Sequence, residues 1–437
     1  MANMELSCLK GGPMKKSDLE EIKKITLDIF NHPELGYEEW KTKGLVLDYM
    51  KKYCPDINYQ EFARTGLKFS LPGSQDKALK MCFVAELDAL YLPGYAHEDP
   101  KTGAAHVCGH YTQVGIALAL FKRLIQDQVY KKLDYAIDFV FVPAEEYVDL
   151  DHRKDLRDRG EIFYFGGKPE GMRLGIFDDY DFGICTHTMG GSYPKDSVEF
   201  LCDLAGFLYK YYHFEGQSAH CGFAPWDGIN ALSMATSFQT NLGLARQQFN
   251  ESKMVRVNPV ILEASQGINT IPDSITLGTD IRSNDLDYLT LLSKQLDRLA
   301  QGSAYAFDGK LTIETETGYL PFVQDKYLSQ LCLDFTRDKY SQFDCYTNRP
   351  VAAAGDIGDL SYLFPCLQIG YSGFYGRPHG LDFNHVDLDF ILDRFPSYLF
   401  DLFFHLSGKI DPKKLYRRSY QDYKSALSEL GGTLHED

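Results

Sequence analysis

The chain is 437 residues long, 44% hydrophobic and 24% charged, the balance of a soluble globular protein with a large core and of no disordered or fibrous class. Its formal net charge of -16 gives no footprint for nucleic acid or an anionic membrane, both of which reward clustered Lys and Arg, and points to a small-molecule partner. The longest apolar run, Val114 to Phe121, is too short to span a bilayer, and "MANMELSCLKGGPMKK" has no apolar signal segment, so a cytoplasmic protein is expected.

Along the chain, "SDLEEIKKITLDIF" predicts a helix, with Ser17 as N-cap and Glu20 completing a capping box. "ALKMCFVAELDAL", "DYAIDFVFVPAEE" and "DYDFGICTHTMGG" are continuous apolar runs ending in acidic residues or histidine, the pattern of buried strands in an α/β doubly wound sheet. Ligands in such sheets bind outside the carboxyl ends of the strands, so Glu86, Asp88, Glu145, Glu146 and His187 are expected to converge. The charged stretch "YVDLDHRKDLRDRGEIFYFGGKPEG" reads as solvated helix and loop near the crevice rim. From about Val198 the texture changes to two strand pairs, each followed by a helix, which predicts a small α+β sandwich. Near Tyr319 the α/β pattern returns, so residues 197–315 are expected to form a domain inserted between residues 1–196 and 316–437 of the first one.

Ten cysteines are scattered singly with no CxxC, so a disulfide framework is not expected. Cys108 stands apart because His106 and His110 flank it in "AAHVCGHYTQ". Thiolate, imidazole and carboxylate are the side chains that hold zinc and its neighbours. The chain offers Cys108 and His110 before a helix, Glu145 and Glu146 at one strand end, His187 at the next, and His379 and His385 in "RPHGLDFNHVD". Each alone has an ordinary structural reading: a buried thiol, a solvated acidic pair, a core histidine. Their common placement at strand ends is what raises the metal-site reading.

The blocks "NHPELGYEE", "AELDAL", "HVCGH", "VPAEE", "THTMGG", "GQSAHCGFAPWDGINAL", "GINTIPDSITLGTDIRS", "AAAGDIGDLSYLFP" and "PHGLDF" follow one another in order along nearly the whole chain. In these blocks the sequence resembles the M20 metallopeptidases, in particular the amidohydrolase branch that includes hippurate, auxin-conjugate and aminobenzoyl-glutamate hydrolases. The resemblance implies a catalytic domain holding two divalent metal ions, zinc or manganese, with the insert as a lid through which homodimers form. It implies Cys108, His110, Glu146, His187 and His379 as metal ligands and Glu145 as the base that takes a proton from a water acidified by the metals. His220 would reach the partner subunit's active site and donate to the oxyanion, and Asn269 and Arg282 would contact substrate, Arg being the natural bidentate partner of a carboxylate.

The chain also departs from that pattern. Tyr111 and Gln113 replace an acidic or amide residue and a histidine after Cys-Gly-His, Glu86 stands where many relatives have Asp, and His385 competes with His379 as the last ligand. The reaction implied is hydrolysis of the amide of an N-acyl amino acid or related conjugate. The alternatives are an M20-type dipeptidase or aminoacylase, and a catalytically silent relative acting in binding or assembly.

Overall fold

The apolar runs form the strands expected of them. In the computed structural model, which describes residues 12–73 and 76–431, they are the middle of an eight-stranded sheet. Its strands are β1 (Asn58–Phe62), β2 (Gly66–Ser70), β3 (Leu79–Glu86), β6 (Tyr135–Val142), β7 (Phe182–Thr188), β8 (Ser197–Phe200), β13 (Asp344–Thr347) and β14 (Cys366–Tyr371). The intervening numbers are two short ribbons, β4 (Leu90–Tyr91) with β5 (Ala104–Ala105) and β15 (Phe374–Tyr375) with β16 (Asn384–His385), and a second sheet, β9 to β12. The order is β1-β2-β6-β3-β7-β14-β8-β13. Strands β6, β3, β7 and β14 run parallel, while β2 pairs with β6, and β8 with β14, antiparallel. The sheet is thus mixed, and its central strands are buried on both faces, which is why they read as apolar runs without alternation.

The helix His110–Ile125 lies against β3, and the helices Lys16–Phe30 and Phe395–Leu406 pack on it. From His110 through Phe121 every residue of that helix is buried, and after its polar first turn the run Val114–Phe121 is accordingly apolar all round. The first helix begins at Lys16, with Lys15 as N-cap and no side-chain capping bond. The capping box expected at Ser17 therefore does not form, because Ser17 already lies inside the first turn.

Two compact units divide the chain: Met1–Cys202 with Val323–Pro350 and Asp359–Tyr420, and Asp203–Phe322 with Val351–Gly358 and Gln421–Asp437. The second starts later than the 197 expected. Strand β8 pairs with β13 and β14 in the large sheet, and all its residues are buried as in an interior strand. The second unit is a four-stranded antiparallel sheet of β9 (Gly206–Glu215), β10 (Arg256–Ala264), β11 (Ser274–Ser283) and β12 (Lys310–Thr317), in the order β10-β11-β9-β12. The helices Ala231–Ala245 and Leu286–Tyr305 pack on it and on each other. No helix among the described residues is long and apolar enough to cross a membrane.

Gly115 sets how closely the central helix is approached. A Cβ there would lie 2.4 Å from Thr26 Oγ1 and 2.6 Å from Leu392 Cδ2. Alanine gains about 1 kcal/mol of helix propensity over glycine, whereas overpacking a filled core costs about 1–3 kcal/mol. Packing should win: Gly115→Ala is expected to lower the melting temperature and Gly115→Val to lower it further, and thermal unfolding that showed both unchanged or raised would contradict this packing.

Candidate metal centre and active site

Three parallel strands deliver the polar residues to one place. The loop after β3 carries Asp88, the loop after β6 carries Glu145 and Glu146, and His187 lies in the last turn of β7, all at carboxyl ends of neighbouring strands. Between Cys108 and His110 sits Gly109 with a φ of 87°, where a Cβ would come 3.0 Å from Thr188 Cγ2. Ala144, just before the acidic pair, has a φ of 54°, and His379 has a φ of 64° with its N–H donating to Val107 O at 2.9 Å. Left-handed non-glycine residues cost strain and persist where the surroundings hold them, commonly at functional sites.

Cys108 is the meeting point. Its Sγ lies 3.4 Å from His187 Nε2 and 3.3 Å from His379 Nε2, and His379 Nε2 lies 3.3 Å from Glu146 Oε1. Two sets of possible ligands result, Cys108 with His110 and His187, and Cys108 with Glu146 and His379, and the ligand atoms within each set lie within 4.8 Å of one another. A third set, Glu86 with His110 and Glu145, shares His110. Glu145 Oε2 is 3.7 Å from His110 Nε2. His385 joins none of them: its Nδ1 is hydrogen-bonded to Tyr111 OH at 2.8 Å, and its ring meets that of Phe30 edge-on at 5.2 Å. His106 is likewise outside, buried, and held by that burial at a pKa of about 3.

The surrounding shell fixes the tautomers. His110 Nδ1 lies 2.9 Å from Asp88 O, and His187 Nδ1 lies 2.9 Å from Thr188 O. A carbonyl only accepts, so each Nδ1 carries the proton and each Nε2 turns its lone pair into the cluster. Asp88 also accepts the Glu146 N–H at 2.9 Å. Glu39 is a residue that sequence reasoning passed over. It accepts the Ala144 N–H at 2.8 Å and the Thr65 hydroxyl, and burial together with the charge of Asp88 pushes its pKa up to about 8. Lys168 and Gln113, also unassigned from sequence, both bind Glu86: Lys168 Nζ at 2.6 Å from Oε1, and Gln113 Nε2 at 2.7 Å from Oε2. The signal for Glu39 lay in "NHPELGYEE"; for Lys168 there was none.

The remaining candidates lie in the second unit. His220 and Asn269 are exposed neighbours on adjoining loops, where His220 bridges to Thr270 and the Cys221 N–H donates to Asn269 O at 3.0 Å. Arg282 does not join them. It sits near the far end of β11, about 27 Å along the strand from Ser274 at ~3.4 Å per residue. There its Nε donates to Asp280 at 3.0 Å and its Nη1 to Ala352 O at 3.0 Å.

The donor set fits divalent metal ions. His110 Nε2 and Glu146 Oε1 are buried and form no hydrogen bond, facing only Glu86 Oε2 at 3.1 Å and His379 Nε2 at 3.3 Å, and buried ligand atoms turned toward one another in this way suit a cation between them. Burial and the charge of Glu146 push the Cys108 thiol up, but His110, His187 and His379 outweigh them and bring it down to about 6. Conversely, the Cys108 thiolate is the main cause of a rise of His379 to about 11, while His187 also moves up against its burial. Near neutral pH the metal-free cluster therefore sets a Cys108 thiolate against a protonated His379. A metal takes neutral imidazole, so binding must expel protons, and affinity must rise with pH. Titration calorimetry in buffers of different ionisation heat is expected to show net proton release per ion at pH 7; an affinity unchanged between pH 6 and 8 would contradict it.

The chain has matches among known families, proteins and solved structures. Residues 205–306 match the family model described as the peptidase dimerisation domain of the M20 group. The chain is 26% identical over 385 residues to the Xaa-Arg dipeptidase of Mus musculus, covering 83% of this chain and 80% of that one. It is 27% identical over 348 residues to an N-acetyldiaminopimelate deacetylase of Streptococcus pneumoniae, covering 76% and 85%. Among solved structures, a Bacillus subtilis dinuclear metal-binding peptidase of the M20 family superposes with a TM-score of 0.70 at 15% identity, covering 91% of this chain and 100% of that one. An aminobenzoyl-glutamate utilization protein of Klebsiella pneumoniae gives 0.62 at 15% identity, covering 89% and 97%. The fold, the dimerisation domain and the curated relatives thus agree in likening the chain to the M20 metallopeptidases, and relatives named as a dipeptidase and a deacetylase support metal-dependent amide hydrolysis.

Proposed function

We propose that this protein hydrolyses the amide bond of N-acyl amino acids or related conjugates at a centre of two divalent ions. The observation that carries the reading is an acid, Glu145, whose Oε2 lies 3.7 Å from His110 Nε2, beside two ligand sets that share Cys108. Cys108, His110 and His187 would hold one ion, and Cys108, Glu146 and His379 the other. Thiolate and imidazole favour zinc, and the carboxylates also admit manganese or cobalt. Such ions supply Lewis acidity to a water and to an amide oxygen near neutral pH. Glu145 takes the proton of the attacking water and hands it to the leaving nitrogen, whereas its neighbour Glu146, whose Oε1 faces His379 Nε2 at 3.3 Å, is assigned as a ligand.

The protein is further proposed to act as a homodimer in the cytoplasm. Strand β10 is an edge strand with Val260, Ile261 and Leu262 exposed, which fits it for pairing with a second copy. His220, beside Asn269, is the candidate donor to the oxyanion in the partner subunit's site. Arg282 remains a candidate carboxylate contact, one that a substrate would have to draw away from Asp280.

A panel of N-acetyl amino acids assayed beside dipeptides tests the substrate class, since a dipeptide brings a free amine that needs an acidic contact. On whichever amide is cleaved, Glu145→Gln is expected to lower kcat by ~10²–10⁴-fold with metal content unchanged. His220→Ala should lower it by ~10²–10³-fold, again with metal retained. Hydrolysis that survived Glu145→Gln at the wild-type rate would end this mechanism.

A further inference from the structure

Lys168 belongs to none of these roles. It lies in the helix Gly167–Arg173, its side chain is fully buried, and its Nζ is 2.6 Å from Glu86 Oε1. The helix is tied to the strand end that bears the acidic pair, because the Gly167 N–H donates to Ala144 O at 3.2 Å. Glu86 is itself part of the third ligand set, with Oε2 3.1 Å from His110 Nε2. Gln113 clamps its other side, donating through Nε2 to Oε2 at 2.7 Å and accepting the Glu86 N–H at 3.2 Å. A buried ammonium is costly to desolvate unless a close opposite charge repays it.

Glu86, Asp88, Glu145 and Glu146 are all buried carboxylates. Glu86 is a member of neither ligand set that shares Cys108, and it is the carboxylate that Lys168 contacts. The ammonium there supplies a positive charge to a carboxylate that ions on those two sets would leave unpaired.

We propose that Lys168 is a positioning residue of the metal centre: its ammonium holds Glu86 as a neutralised carboxylate outside the metal shell, so that the third set takes no ion and Glu145 stays available as the base. This inference rests on the two-ion reading above. A lysine here does the work of a third cation.

The test compares wild type, Lys168→Met and the double variant Glu86→Gln with Lys168→Met. Metal per chain is read by elemental mass spectrometry after zinc or manganese loading, melting temperature with and without metal, and kcat and KM on a cleaved amide. Lys168→Met should lower the metal-free melting temperature, move the metal ratio off the wild-type value, and cut kcat ~10-fold or more while KM moves less than ~3-fold. The double variant removes both charges together and should return the melting temperature and metal ratio towards wild type. The proposal is overturned if Lys168→Met matches wild type in metal ratio and melting temperature, or if the double variant is no better than the single. Restoration of metal ratio and stability in a protein that cleaves no amide would uphold Lys168 and instead contradict the proposed reaction.

Discussion

A thiolate shared between two imidazoles governs this molecule. Cys108 Sγ lies 3.3 Å from His379 and 3.4 Å from His187, inside a protein where an isolated charge could not be kept. Around it are four buried carboxylates, Glu86, Asp88, Glu145 and Glu146. Such a concentration of negative charge is tolerable only with cations in contact, and on the proposed reading the Nε2 atoms of His110 and His187 would bind them. The eight-stranded sheet exists, in this sense, to bring the carboxyl ends of β3, β6 and β7 to one point.

Precision comes from the layer behind the ligands. Backbone carbonyls fix the tautomers of His110 and His187, Asp88 ties the His110 ring to the Glu146 backbone, and Glu39 holds the strained Ala144 through its N–H. Burial that keeps Glu39 protonated near neutrality also keeps it from adding another negative charge next to Asp88. On the proposed reading, each of these residues acts on a metal ligand or on the base through one intervening bond.

Much of this was legible in the sequence because buried parallel strands have an unmistakable texture and their polar tips are few. Cys108, His110, Glu145, Glu146, His187 and His379 could be nominated from those tips, and they lie together. What the texture hid was burial within polar segments. Lys168 ends a stretch so charged that it reads as solvated loop, yet the residue is fully buried, because its partner Glu86 lies 82 positions away in sequence and only the tertiary fold joins them. Gln113 reads as a lost histidine and proves to be a two-way clamp on Glu86. The boundary at β8 was misplaced because four apolar-leaning residues look alike in either sheet, and Ser17 failed as a cap because the helix starts one residue earlier. Arg282 was grouped with Asn269 by a shared motif, although an extended strand carries the two ends of that motif far apart.

The central claim is that one sulfur serves two ions, and metal content per chain tests it most directly. Protein loaded with zinc or manganese and freed of excess is measured by elemental mass spectrometry as wild type, Cys108→Ala and His379→Ala. The account predicts about two ions in wild type, loss of both in Cys108→Ala, and loss of one in His379→Ala, since only Cys108 is common to the two sets. Wild type that retained no metal, or Cys108→Ala that kept the full complement, would contradict it.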